Sequence, residues 1–232
     1  MTKAILLDIE GTTTPIDFVH RTLFPYARAR VAGYVSENFA SLRSEIAELA
    51  AEAELDESYT KAFDKASANS VIEYLQHLID ADRKSTPLKF IQGLIWERGY
   101  AAGELVGEVF PDVPTAFERW KAAGKLIAIY SSGSVLAQKL IFSHTADGDL
   151  SRHIDHYFDT NIGHKREAES YHRIAGELEL PPGEILFISD IAQELAAAAN
   201  AGMQVLLSVR PGNSPVAESD FETIDSLDRV AV

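Results

Sequence analysis

The sequence predicts an α/β fold, a parallel β-sheet covered by helices and interrupted after its first strand by an all-helical insert. Two observations carry that prediction. From about residue 111 onward, short β-rich runs alternate with helical patterns, the signature of a parallel sheet. One further strand-like run, AILL at 4–7, is separated from these by residues 16–109, whose apolar positions recur every three or four residues without strand-like alternation.

Taken in order, AILL supplies the first strand and Pro15 marks the start of the insert. Helices are expected over FVHRTLFPYARARVAGYV, LRSEIAELAAEAEL, NSVIEYLQHLIDAD and PLKFIQGLIWERGYAAG, with Phe90 and Trp96 of the last packing the core of the insert. AAEAELDE at 50–57 reads as an acidic, solvated helix end. Pro111 and Pro114 mark the return to the sheet, so the expected boundaries are 1–15 with 110–232 for the α/β core and 16–109 for the insert. In the core, VPTAFERWKAAG reads as helix, LIAIY at 126–130 as strand, SVLAQKLIFSH as helix and HYFD at 156–159 as a short strand. KREAESYHRIAGEL follows as helix, ILFI at 185–188 as strand, IAQELAAAANAG as helix and QVLLSV at 204–209 as strand. Gly124 and Gly202 close two of these helices at the usual stop position.

A chain of 232 residues with 46% hydrophobic content can bury a full core. Its apolar runs are strand-sized, far below the roughly 20 residues of a membrane span. Asp8 and Glu10 cut short the N-terminal apolar run, which therefore does not resemble a secretory signal. With no cysteine there is no disulfide framework and no thiolate metal site, which fits a cytoplasmic protein. The formal charge of −14 argues against nucleic acid and anionic membranes as partners. An anionic ligand would then need a local site built from a metal and a few placed cations. No amphipathic pattern is left over to demand a partner subunit, so a monomer is expected.

In open parallel sheets, function gathers at the carboxyl ends of strands, where loops meet helix N-termini. Here those ends carry Asp8-Ile9-Glu10-Gly11-Thr12-Thr13, then Ser131-Ser132-Gly133-Ser134, then Asn161-Ile162-Gly163-His164-Lys165, then Ser189-Asp190 with Glu194 beyond. Each has a bland reading: a solvated turn for Asp8 and Glu10, a helix N-cap for Ser132, Ser134 or Asp190, a surface charge for Lys165. Four such coincidences in order on one sheet favour chemistry. Oxygen ligands near Asp8 and Asp190 match Mg²⁺, a hard cation that takes few carboxylates and keeps waters. Ser131, Ser132 and Lys165, with N–H groups near Gly133, suit phosphate oxygens. Asp8 can attack phosphorus, and Glu10 can protonate the leaving alkoxide and later take a proton from water.

These motifs resemble the haloacid dehalogenase superfamily of phosphohydrolases, with Glu10 standing where an Asp is usual and Ser189 where many relatives carry another acid. DIEGTTTPIDFVHRTLFPYA, KFIQGLIW, YSSGSVLAQKLIFSHT, FDTNIGHK and VRPGN together are similar to the enolase-phosphatase family of methionine salvage over nearly the whole chain. The resemblance implies a Rossmann-like core of the haloacid dehalogenase type with a helical cap domain. It implies a Mg²⁺ enzyme that enolises 2,3-diketo-5-methylthiopentyl-1-phosphate and then hydrolyses its phosphate, giving an acireductone. It also implies a metal held by the side chains of Asp8 and Asp190 and the backbone carbonyl of Glu10. For the enolisation base, Glu10, His20, His164 and the carboxylates of the insert are all candidates. His20, with Arg21 and Tyr26, lies early in the insert. The alternatives are a generic small-phosphomonoester phosphatase of the same superfamily, a signalling receiver module and a catalytically silent scaffold. A receiver would be about half as long and would carry its phosphorylated Asp after the third strand.

Overall fold

The computed structural model describes residues 1–213 and 220–231. By internal packing the chain divides into two compact units, Met1–Val19 with Val106–Val232, and His20–Leu105. The first is built on a parallel sheet of order β3-β2-β1-β4-β5-β6, with β1 Ala4–Leu7, β2 Leu126–Tyr130, β3 His156–Phe158, β4 Ile185–Ser189, β5 Gln204–Ser208 and β6 Thr223–Ile224. Every residue of β1 and β4 is buried, as continuous apolar runs require when helices cover both faces.

Alternation along these strands divides the core. Ala4 and Leu6 of β1, Ala128 and Tyr130 of β2, and Ile185 and Phe187 of β4 pack with Tyr171, Ile174, Leu195 and Ala198. The last four lie on α8 Ala168–Glu177 and α9 Ala192–Asn200. α6 Val113–Ala122 and α7 Val135–Ser143 contribute the aromatic cluster of Phe117, Trp120 and Phe142. β6 has no counterpart in the sequence reading, because two residues flanked by acidic and polar neighbours leave no apolar run to read.

In the second unit the expected helices form with one revision. FVHRTLFPYARARVAGYV is not one α-helix. It comprises a single α-turn, α1 Ile16–Phe18, a π-helical turn Val19–Leu23, which crosses the boundary between the units, and α2 Phe24–Asn38. Pro25 has no N–H, so the Arg21 carbonyl has no donor four residues on, and the backbone widens ahead of it. α3 Arg43–Leu55, α4 Ala68–Asp80 and α5 Thr86–Ala101 follow. Ser67 and Ser85 cap the last two through the N–H groups of Ser70 and Leu88. Trp96 of α5 is buried, donates to the Leu23 carbonyl at 2.8 Å and stacks on Phe24. Phe90, expected in the core, is 46% exposed, because the buried stripe of α5 runs through Leu88, Ile91, Ile95 and Trp96 and leaves it on the opposite face.

One polar group ties the sheet unit together. Asp112 Oδ2 accepts from Arg210 Nη1 at 2.7 Å, from Ser226 Oγ at 3.0 Å and from the Leu227 N–H. Burial works to raise the Asp112 pKa, but the Arg210 bond, the Leu227 N–H and the Arg210 charge together hold it below the ordinary carboxylate range. A depressed folded-state value stabilises above the unfolded one and is lost as pH falls through it. Asp112→Asn should therefore lower stability by ~2–4 kcal/mol at pH 7, a little under the range for a fully enclosed pair. The melting difference between the two proteins should shrink below about pH 4, where the wild-type carboxylate is itself protonated; a pH series of thermal melts measures it.

Candidate active site

The carboxyl ends of β1, β2 and β4 lie side by side, because the register pairs Leu7 with both Ile129 and Ile188. The residues that follow these strands, Asp8, Ser131 and Asp190, therefore open on one edge of the sheet. Asp8 is 5% exposed. Its Oδ1 accepts from the Ile9 N–H at 2.8 Å and lies 2.7 Å from Lys165 Nζ. Lys165, 7% exposed, also contacts Glu194 Oε2 at 2.6 Å. Ser189 Oγ accepts from the Ile191 N–H and stands 3.0 Å from Glu194 Oε2 and 3.4 Å from Asp8 Oδ2. A hydroxyl has one proton, and the shorter contact takes it. Asp8 Oδ2 is thus the more weakly held of the two oxygens.

Each partner is placed by its own element. Tyr171 donates to the Lys165 carbonyl at 2.6 Å, Ser170 to the His164 carbonyl at 2.8 Å, and Tyr130 to the Gly163 carbonyl at 2.9 Å. These bonds hold Lys165 in a turn ahead of α8 rather than inside the helix that KREAESYHRIAGEL was expected to form. In the loop after β2, the Ser131 N–H bonds to the Phe158 carbonyl at 3.2 Å and Ser131 Oγ accepts from the Gly133 N–H at 3.2 Å. Gln138, fully buried, donates to the carbonyls of Gly133 and Phe158. The N-cap of α7 is Ser134, not Ser132, and the N-cap of α9 is Ile191, not Asp190.

Gly11 turns the first loop at φ +68°, and a Cβ there would strike the Asp190 carboxylate. The absence of a side chain lets the loop close on Asp190. Burial, then the nearby Asp8 charge, push the Asp190 carboxyl up to about 7, with Lys165 opposing. Glu194 is raised by burial and the Asp8 charge against the pull of Lys165. For Lys165 itself burial favours the neutral form, but the charges of Asp8 and Glu194 outweigh it and hold the ammonium above its ordinary range. Three acids around one ammonium leave an excess of negative charge. Among the described residues no group of three His, Cys, Asp or Glu side chains is arranged to hold a metal by side chains alone. The carboxylates that could offer oxygens to a cation here are those of Asp8 and Asp190, brought together by the loop that closes at Gly11. So small a set fits a hard divalent cation that keeps several waters.

The structure thus brings Asp8, Lys165 and Asp190 together and adds two residues whose contacts the sequence did not foretell, Ser189 and the carboxylate of Glu194. His164 is exposed beside Lys165. His20 packs edge-on against Phe24 within the helical unit. Sequence reading also passed over Gln138 and Arg210, although both lie in segments it singled out, YSSGSVLAQKLIFSHT and VRPGN.

A family model described as haloacid dehalogenase-like hydrolase matches residues 2–202. The enolase-phosphatase E1 of Synechococcus elongatus is 52% identical, covering 97% of this chain and 96% of that protein. The enolase-phosphatase E1 of Drosophila pseudoobscura pseudoobscura is 46% identical, covering 97% and 95%. Among solved structures, the UTR4 protein of Saccharomyces cerevisiae matches with a TM-score of 0.82 and 32% identity, covering 99% of this chain and 100% of that one. The chain belongs to the haloacid dehalogenase-like hydrolases and, within them, to the enolase-phosphatase E1 family.

Proposed function

We propose that this chain is the enolase-phosphatase of methionine salvage, converting 2,3-diketo-5-methylthiopentyl-1-phosphate to the acireductone 1,2-dihydroxy-3-keto-5-methylthiopentene and phosphate. The observation that supports its chemistry best is the pairing of Asp8 Oδ1 with Lys165 Nζ, which leaves Oδ2 as the nucleophilic oxygen. Mg²⁺ is the metal in this reading, held by the carboxylates of Asp8 and Asp190 and the backbone carbonyl of Glu10. When bound, it offsets the charge of the phosphate and of the enolate.

The first step removes a carbon-bound proton beside a carbonyl, and we assign that base to Glu10. In the second step Asp8 Oδ2 bonds to phosphorus as the phosphorus–alkoxide bond breaks, and Glu10 returns a proton to the departing oxygen. Water, losing a proton to Glu10, then cleaves the aspartyl-phosphate. Lys165 holds the nucleophile's orientation and, with Ser131 and Ser132, binds phosphate oxygens. The helical residues 16–109 are read as a cap domain that excludes water from the reactive enol. The working form in this reading is a cytoplasmic monomer acting on a small molecule. Nucleic acid and membranes are not among its partners, in keeping with the net charge of −14. Among the described residues no helix is long and apolar enough to cross a membrane.

The test is ultraviolet absorbance with the diketone phosphate, with and without Mg²⁺, alongside phosphate release. An enol band that gives way to acireductone, with phosphate freed only in the presence of Mg²⁺, is expected. Phosphate release from simple monoesters without an enol signal would instead establish the generic phosphatase. Asp8→Asn should lower phosphate release by at least about 10³-fold with the fold intact by circular dichroism. Glu10→Gln should abolish both steps, and enolisation at full rate in that variant would remove Glu10 from the role of base. Lys165→Met leaves two buried carboxylates facing each other. It should cost roughly 3–5 kcal/mol of stability as well as activity, whereas Glu194→Gln keeps the ammonium and should show the milder loss in both assays.

A further inference from the structure

We propose that Arg210 is a positioning residue for the loop that carries Asp8 and Glu10, acting through the Thr12 carbonyl with Asp112 as its counter-ion. The inference rests on the enolase-phosphatase reading only for the identity of that loop.

The carbonyls of the loop are held one after another. Gly11 O accepts from Ser208 Oγ at 3.0 Å and from Asn213 Nδ2 at 2.9 Å. Thr12 O accepts from Arg210 Nε at 3.1 Å, Thr13 O from the Phe110 N–H at 2.9 Å, and Thr14 O from the Gly11 N–H at 2.8 Å. Two of these four carbonyls depend on the segment that follows β5. Arg210 is 6% exposed, a depth at which a guanidinium is rarely found unless it is paired. Its Nη1 bonds to Asp112 Oδ2 and to the Asp225 carbonyl at 3.0 Å, and its guanidinium carbon lies 4.7 Å from the centre of the Phe110 ring. The planar fork is therefore held at Nη1 and on one face, with Nη2 buried and without a hydrogen-bond partner among the described residues, and Nε is left pointing in a single direction in which to donate. That direction is the loop.

A buried ion pair whose sole task was stability would be a poor choice, because apolar residues of similar size commonly serve as well. A fixed donor aimed at the turn following Glu10 has a different use. The Thr12 peptide belongs to the same tight turn as Gly11, where φ is +68° and the Asp190 carboxylate is in contact. A shift there moves the nucleophile and the acid/base group together. Misplacement by an ångström or so reduces turnover steeply while leaving phosphate binding by Ser131 and Lys165 in place. A lysine at this position can reach Asp112 with its ammonium but has no Nε donor for Thr12.

The experiment compares Arg210→Lys, the double variant Asp112→Asn with Arg210→Met, and Asn213→Ala, which probes the neighbouring carbonyl and leaves no buried charge behind. Thermal melts are read beside kcat and KM on the diketone phosphate and on p-nitrophenyl phosphate. The expected result is a fall of about ten- to a hundredfold in kcat, in both the enolase and the phosphatase steps, with KM within about twofold of wild type and each variant folded at the assay temperature. The proposal is overturned if the variants keep full kcat, or if their losses merely follow the fraction of melted protein. Wild type that ignores the diketone phosphate but cleaves p-nitrophenyl phosphate would defeat the substrate reading alone, and the positioning role is then judged on kcat with the second substrate.

Discussion

The Lys165 ammonium, enclosed between the carboxylates of Asp8 and Glu194, is the contact on which the rest of the site depends. An isolated charge at that depth would be driven to its neutral form by burial. With an acid on either side it stays charged and aligns Asp8 by one oxygen. Glu194 in turn is steadied by the Ser189 hydroxyl at the end of β4. The ends of β1 and β4, the first turn of α9 and the turn before α8 thus meet in a single hydrogen-bonded chain, and its polarity is tolerated because each member is satisfied by the next.

Around that chain the fold supplies rigidity from below. The strands end level with one another because β1 pairs in parallel with both β2 and β4, so side chains distant in sequence emerge together without long loops to position them. Tyr130 and Tyr171, whose rings meet edge to face in the core, send their hydroxyls to the backbone on either side of His164 and Lys165. The hydrophobic core and the catalytic edge therefore share residues. A defect in packing beneath the sheet would be transmitted to the lysine above it.

Much of this was legible in the sequence. LIAIY and ILFI read as strands because both faces of the sheet are covered, which makes each run apolar throughout, and the residues just beyond them read as a site because parallel sheets expose chemistry there. The residues that escaped did so for physical reasons. Arg210 and Asp112 are 98 positions apart, and each alone resembles a surface charge; nothing local says that they pair. Ser189 reads as a departure from the acidic pattern until its contact with Glu194 is seen. The π-turn at Val19–Leu23 was hidden because apolar spacing does not distinguish a widened turn from an α-helical one. Phe90 was misplaced because a helix rich in apolar residues gives no clear stripe.

The hydrogen bonds to the loop that follows β1 have a consequence for how the molecule comes into being. Asp8 comes early in the sequence, whereas Ser208, Arg210 and Asn213, which fasten its loop, and Asp225 and Leu227, which fasten Arg210 and Asp112, come far later in it. Such contacts close last, because the ends of a long segment must meet before any of them is rewarded. During synthesis Asp8 therefore precedes the residues that fasten its loop, and that loop is fixed only once Ser208, Arg210 and Asn213 have emerged. Chains cut before Ser208 consequently hold Asp8 without the hydrogen bonds that fasten its loop.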